Sequence, residues 1–200
     1  TYNGKALSPD YMKKASDVAS KHGLSSHLDG ARLMNAAIAN RCSPKDLTRG
    51  FTTVSLCLSK GLGAPVGSVL TGSSNFIKEA RRARKMLGGG MRQAGILAAC
   101  GLVAVKTQVD RLEEDHRLAS RLATELSQIP DIQTEAEGAN TNMVFIKVLD
   151  QHRDPLKAFL KNKGILISGR PPTFRLVIHR DINEKDIPTT VAAFAEYFRQ

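Results

Sequence analysis

Lys60 stands in the segment Ser55-Leu56-Cys57-Leu58-Ser59-Lys60-Gly61-Leu62-Gly63-Ala64-Pro65-Val66-Gly67, a tight turn between two apolar, strand-like runs at residues 51–58 and 66–71. An ammonium is costly to bury without a partner, yet the residues around this one are Leu, Cys, Ser and Gly. Burial and nearby cations lower a lysine's pKa until the free amine serves as a nucleophile, the condition for covalent imine chemistry. For so short a Ser-Lys-Gly motif the plain alternative is a loop lysine between two strands. A second constellation upstream, His27-Leu28-Asp29-Gly30-Ala31-Arg32, weighs against that. It follows a helix and a short apolar run, so Asp29 falls at the carboxyl end of a strand, where open α/β sheets bind ligands. Gly30 permits the sharp turn, and Arg32 opens the next helix beside the same crevice. Taken singly, Asp29 reads as a helix N-cap and Arg32 as a solvated helix residue; the three together are less easily explained that way. An acid, an arginine and a lysine at strand ends match the parts of a pyridoxal phosphate site. The lysine forms the Schiff base, the acid keeps the pyridine nitrogen protonated, and the arginine grips a carboxylate through two hydrogen bonds.

Together with Arg84-Lys85-Met86-Leu87-Gly88-Gly89-Gly90-Met91-Arg92-Gln93, these segments resemble the threonine aldolase family, within the aspartate aminotransferase-like fold of pyridoxal phosphate enzymes. The likeness continues through residues 94–100, Leu112-Glu113-Glu114-Asp115-His116, Thr141-Asn142-Met143 and Phe174-Arg175-Leu176-Val177-Ile178-His179, and so spans nearly the whole chain. It implies an α/β protein: the latter part of a large cofactor-binding α/β domain over residues 1–108, then a long linking helix and a small α/β C-terminal domain over residues 109–200.

The resemblance also implies roles. Lys60 would hold pyridoxal phosphate as an internal imine, with Asp29 on the ring nitrogen and Ser59 among the cofactor contacts. The Gly88-Gly89-Gly90 loop, a hinge or phosphate cradle by composition, would place Arg92 near the cofactor phosphate of its own or a neighbouring subunit. Arg32 and Arg175 would fix the substrate carboxylate. By pattern alone, Arg175 reads equally as an edge-strand arginine turned to solvent. The implied reaction is a retro-aldol cleavage of a β-hydroxy-α-amino acid, L-threonine or L-allo-threonine, to glycine and acetaldehyde. The sequence offers no strong candidate for the base that takes the β-hydroxyl proton. Family members carry a long stretch before the equivalent of Thr1, supplying a phosphate-cradling Gly-Thr loop and a histidine over the cofactor ring. They are homotetramers with sites built across subunits. The chain alone is therefore expected to be catalytically poor and dependent on partner subunits. Two other readings stay open: another pyridoxal phosphate lyase or transaminase, since fold does not fix reaction type, and a remnant without catalysis that serves assembly.

The net charge is +10, concentrated in Lys78-Glu79-Ala80-Arg81-Arg82-Ala83-Arg84-Lys85. Phe76, Ile77, Ala80 and Ala83 recur there at helical spacing, which puts the cations on a solvated face or subunit contact. No aromatic residues interleave them, so nucleic acid is not expected as a partner. No apolar run reaches the length of a membrane span. Three widely spaced cysteines, Cys42, Cys57 and Cys100, fit neither a disulfide framework nor a zinc site and point to a reducing compartment, taken as the cytoplasm.

The elements that must position these residues follow from periodicity and caps. Ser8 and Pro9 open a helix with Met12, Ala15, Val18 and Ala19 on its apolar face, ended by Gly23. Further helices are expected at residues 31–39, from 43–44, and at 74–85, 92–106, 108–127, 155–163 and 183–198. The uncharged run at residues 93–105 reads as a buried helix. Pro188 moves the start of the last helix toward Asp186. Strands are expected at residues 51–58, 66–71, 132–136, 143–148, 164–167 and 174–178.

Overall fold

The computed structural model describes residues 3–134, 141–170 and 173–199. It divides into two compact units, Ala6–Leu112 and Glu113–Gln200 with Thr1–Lys5.

The first unit runs α1 (Pro9–Lys21), β1 (His27–Gly30), α2 (Leu33–Asn40), α3 (Pro44–Thr48), β2 (Thr53–Cys57), β3 (Ser68–Thr71), α4 (Ser74–Met86) and α5 (Gly95–Thr107). Caps set the helix ends. The Ser8 hydroxyl accepts the Tyr11 N–H at 3.3 Å, and Ser43 and Asp46 form a reciprocal capping box at α3. Gly23, at φ +66°, lets the chain leave α1. The sheet has the order β1-β2-β3, with β1 parallel and β3 antiparallel to β2. One core cluster joins Met12, Leu33, Ala37, Leu47 and Val54. A second joins Leu58, Leu62, Ala64, Ala104 and Leu112.

Three expectations change here. On α1, Ala15 and Val18 are exposed and the buried pair is Met12 and Ser16. Ser16 is tolerated inside because its hydroxyl donates to the Lys13 carbonyl at 2.9 Å. On α4 no residue is buried; Phe76, Ala80, Ala83, Met86 and Leu87 line an open groove with Leu70. α5 is apolar around its circumference but buries only Gly101 and Ala104, leaving Ile96 75% exposed. Only one side of that helix meets the rest of its unit. The cations of α4 are exposed as anticipated.

The second unit comprises α6 (Leu112–Leu126), β4 (Gln133–Thr134), β5 (Met143–Lys147), a 3₁₀ turn at Asp150–His152, α7 (Arg153–Asn162), β6 (Ser168–Arg170), β7 (Thr173–Val177) and α8 (Asp186–Phe198). Its sheet, ordered β4-β5-β7-β6, is antiparallel throughout. Leu122, Leu126, Ile146, Leu156, Leu160, Phe174 and Phe194 centre its core. α8 starts at Asp186, so Pro188 lies in the first turn, where a missing N–H costs nothing. Residues 135 and 136 of the expected strand lie outside the described residues. The strand expected at 164–167 is displaced to Ser168–Arg170, because Gly164 at φ +77° ends α7 and pairing with β7 begins only at Ser168.

Candidate functional site

The parallel register sets Asp29 opposite Ser55 and Gly30 opposite Leu56, while Cys57 faces Ser68 at the start of β3. The carboxyl ends of β1 and β2 and the amino end of β3 therefore share one edge. This is where the strands of an open α/β sheet receive a ligand. Gly30 lets the two backbones come together: a Cβ there would lie 2.5 Å from the Ser55 carbonyl oxygen. The side chain of Asp29 is exposed, and its Oδ1 accepts the Ala31 N–H at 3.1 Å, a local turn that fixes the carboxylate. Half-buried Arg32 caps α2, its carbonyl taking the Ala36 N–H at 3.1 Å.

The turn bearing Lys60 is closed by backbone bonds. Leu58 N–H donates to Gly67 at 2.9 Å, Ala64 to Leu58 at 3.0 Å, and Gly63 to Lys60 at 2.8 Å. Leu58, Leu62 and Ala64 face inward, so Ser59 and Lys60 are presented outward. Lys60 is thus exposed in this chain, not buried. Its neighbour Cys57 is half-buried, with Sγ 3.5 Å from Ser59 Oγ. Burial raises the Cys57 thiol's pKa, but hydrogen bonding with Ser59, Ser68 and Lys60 outweighs it and leaves the value below the ordinary one. Sequence reasoning passed over Cys57 and Ser68, which meet only through the antiparallel pairing of β2 with β3. An amine, a fixed carboxylate, hydroxyls and a guanidinium are thereby carried by three adjoining strand ends. Among the described residues no group of three or more His, Cys, Asp or Glu could hold a metal ion.

Two candidates lie elsewhere. α4 ends in a Schellman turn, with Gly88 at φ +82°, Gly88 N–H on Lys85 at 3.2 Å and Gly89 N–H on Arg84 at 2.8 Å. The glycine run is therefore partly a helix stop; Arg92 follows it, exposed. Arg175, in the second unit, is exposed on β7 opposite Phe145 and Ser168. β7 is an interior strand, so the outward charge reflects a sheet with one buried and one open face and not an edge position.

Residues 1–149 match the family model of beta-eliminating lyases. Low-specificity L-threonine aldolase 1 of Arabidopsis thaliana is 42% identical over 197 residues, covering 96% of this chain and 55% of its own length. Threonine aldolase from Leishmania major superposes with a TM-score of 0.79 at 20% identity, over 98% of this chain and 58% of that one. A solved SPT with PLP as its internal aldimine superposes with a TM-score of 0.73 at 19% identity, over 94% and 50%. The two structures establish a shared α/β fold. The chain spans about half the length of the curated relatives it matches. The matched region includes Asp29, Arg32, Lys60 and Arg92, and the chain belongs to the beta-eliminating lyase family.

Proposed function

We propose that this protein is a pyridoxal phosphate-dependent aldehyde-lyase cleaving L-threonine and L-allo-threonine to glycine and acetaldehyde by retro-aldol chemistry. The observation that carries the reading is the shared edge of β1 and β2. There Asp29 stands opposite Ser55 while Lys60 projects from the turn that follows β2. The donor set fits the cofactor: a primary amine for its aldehyde, a carboxylate for its pyridine nitrogen and hydroxyls between them. When bound, pyridoxal phosphate supplies an electron sink for the pair released as the Cα–Cβ bond breaks. Lys60 gives the amine that attaches it. Asp29, its carboxyl group fixed by the Ala31 N–H, would pair with the ring nitrogen of the bound cofactor. Ser59 contributes a hydroxyl beside the lysine, and Arg92 a cation for the phosphate. Arg32 takes the substrate carboxylate.

The aldolase relatives and the PLP-bearing neighbour support this choice of substrate and cofactor. The corresponding role is threonine breakdown with glycine formation, by a homotetramer in the cytoplasm. Among the described residues no helix is long and apolar enough to cross a membrane. Incubating the protein with pyridoxal phosphate and L-threonine or L-allo-threonine tests the reading: glycine and acetaldehyde are expected in equal amounts. A 2-oxo acid without acetaldehyde would make it a transaminase. Cofactor binding with no product from either amino acid would overturn the assignment of activity.

A further inference from the structure

Asn35 is the polar residue of the apolar run Leu33-Met34-Asn35-Ala36-Ala37-Ile38 on α2, and it is 5% exposed. A carboxamide is stable in such surroundings only when polar contacts answer it. Its position relates it to the lysine turn. A Cβ on Gly61 would stand 3.5 Å from Asn35 Oδ1, 4.0 Å from its Nδ2 and 2.9 Å from Leu112 Cδ2. Gly61 directly follows Lys60, so Asn35 and Leu112 abut the backbone that aims the amine. The helix carrying Asn35 is capped by Arg32, three residues earlier, which sets the two one turn apart. A single short helix therefore connects the arginine to the lysine turn. Met34 and Ile38 seat it against Leu58, Leu62 and Ala64. Apolar contact is non-directional, whereas a carboxamide acts through directed hydrogen bonds.

We propose that Asn35 is a positioning residue for Lys60, its buried carboxamide fixing the Lys60-Gly61 backbone relative to Arg32. This rests on the reading of Lys60 as the lysine that attaches pyridoxal phosphate. The test uses the purified protein and pyridoxal phosphate as the probe, comparing wild type, Asn35→Leu, which keeps the volume without the amide, and Asn35→Ala, which removes the amide with the least demand on space. Three quantities are read: the pH midpoint of the bound cofactor's absorbance band, the rate of borohydride labelling of the Lys60 peptide, and the melting temperature without cofactor. The expected result in Asn35→Leu is labelling slower by about tenfold or more, as for a small misplacement of a reacting group, with a displaced pH midpoint and little change in melting. Should Asn35→Leu not fold, Asn35→Ala must show the same slower labelling and displaced midpoint. Wild-type midpoint and labelling in the variants, or a lower melting temperature alone, would make Asn35 a structural residue and overturn the proposal. Absence of label at Lys60 in the wild type would instead overturn the functional reading, and this proposal with it.

Discussion

Asp29 and Lys60 draw their proposed roles from where two strands stop, and single substitutions separate those roles. Lys60→Ala removes the amine; loss of the attached-cofactor absorbance band and a fall in turnover of several orders of magnitude are expected. Asp29→Asn keeps the shape and the turn to Ala31 but removes the charge. Much slower cleavage is expected, with weaker cofactor binding second, measured by turnover and by cofactor titration. Wild-type turnover in that variant would place the acid elsewhere. Gly30 carries a steric requirement. Ala in its place would drive a Cβ to 2.5 Å from a backbone oxygen that cannot swing away. Gly30→Ala should lose about 1–3 kcal/mol of stability, the usual range for overpacking, read by denaturant unfolding. Asp29, Lys60 and Arg32 could be recognised from motif and spacing. Cys57 and Ser68 could not, because their meeting depends on strand direction. Asn35 left a faint trace, an amide within the apolar run that opens α2.

Helix ends were readable in the sequence because caps are local chemistry: Ser8 with Pro9 and Ser43 with Pro44 start helices where residue types alone say they should. Strand limits were not, since pairing depends on a partner distant in sequence. Ile165, Leu166 and Ile167 have strand-like composition, yet Leu166 is 81% exposed and the ladder forms on Ser168-Gly169-Arg170. Gly169 belongs there because a Cβ would come within 2.4 Å of the Thr173 carbonyl. α6 yields a pH prediction. Its first turn, with Glu113, Glu114 and Asp115, suits the positive end of the helix dipole. Burial lowers His116 below its ordinary 6.5, against the opposite pull of Asp115 and Glu113. A depressed histidine pKa means that the unfolded chain takes up the proton first as pH falls. Stability should therefore be full above 6.5 and decline as pH drops through the folded-state value. Urea midpoints compared across that range should fall in the wild type and flatten in His116→Gln. Parallel curves would assign the pH dependence to other groups.

Over the whole molecule, burial is uneven. The second unit closes a continuous core between its sheet and α6, α7 and α8, whereas β3 and α4 of the first unit are uncovered and α5 nearly so. Periodicity could place apolar residues on a helix face but not say whether this chain supplies the surface opposite, which is why α4 and α5 read as more buried than they are. Apolar exposure on this extent is unusual for an isolated soluble chain. The 200-residue chain by itself should bind an apolar fluorescent dye strongly and self-associate in sedimentation experiments; a dye-silent monomer would contradict that. The same openness lies beside the edge that carries Asp29 and Lys60, so the attachment of pyridoxal phosphate at that edge is what most needs direct measurement. Reduction of the protein with borohydride in the presence of pyridoxal phosphate, followed by peptide mapping, should place the label on the peptide containing Lys60, and a label confined to Lys5 or Lys106 would contradict the site described.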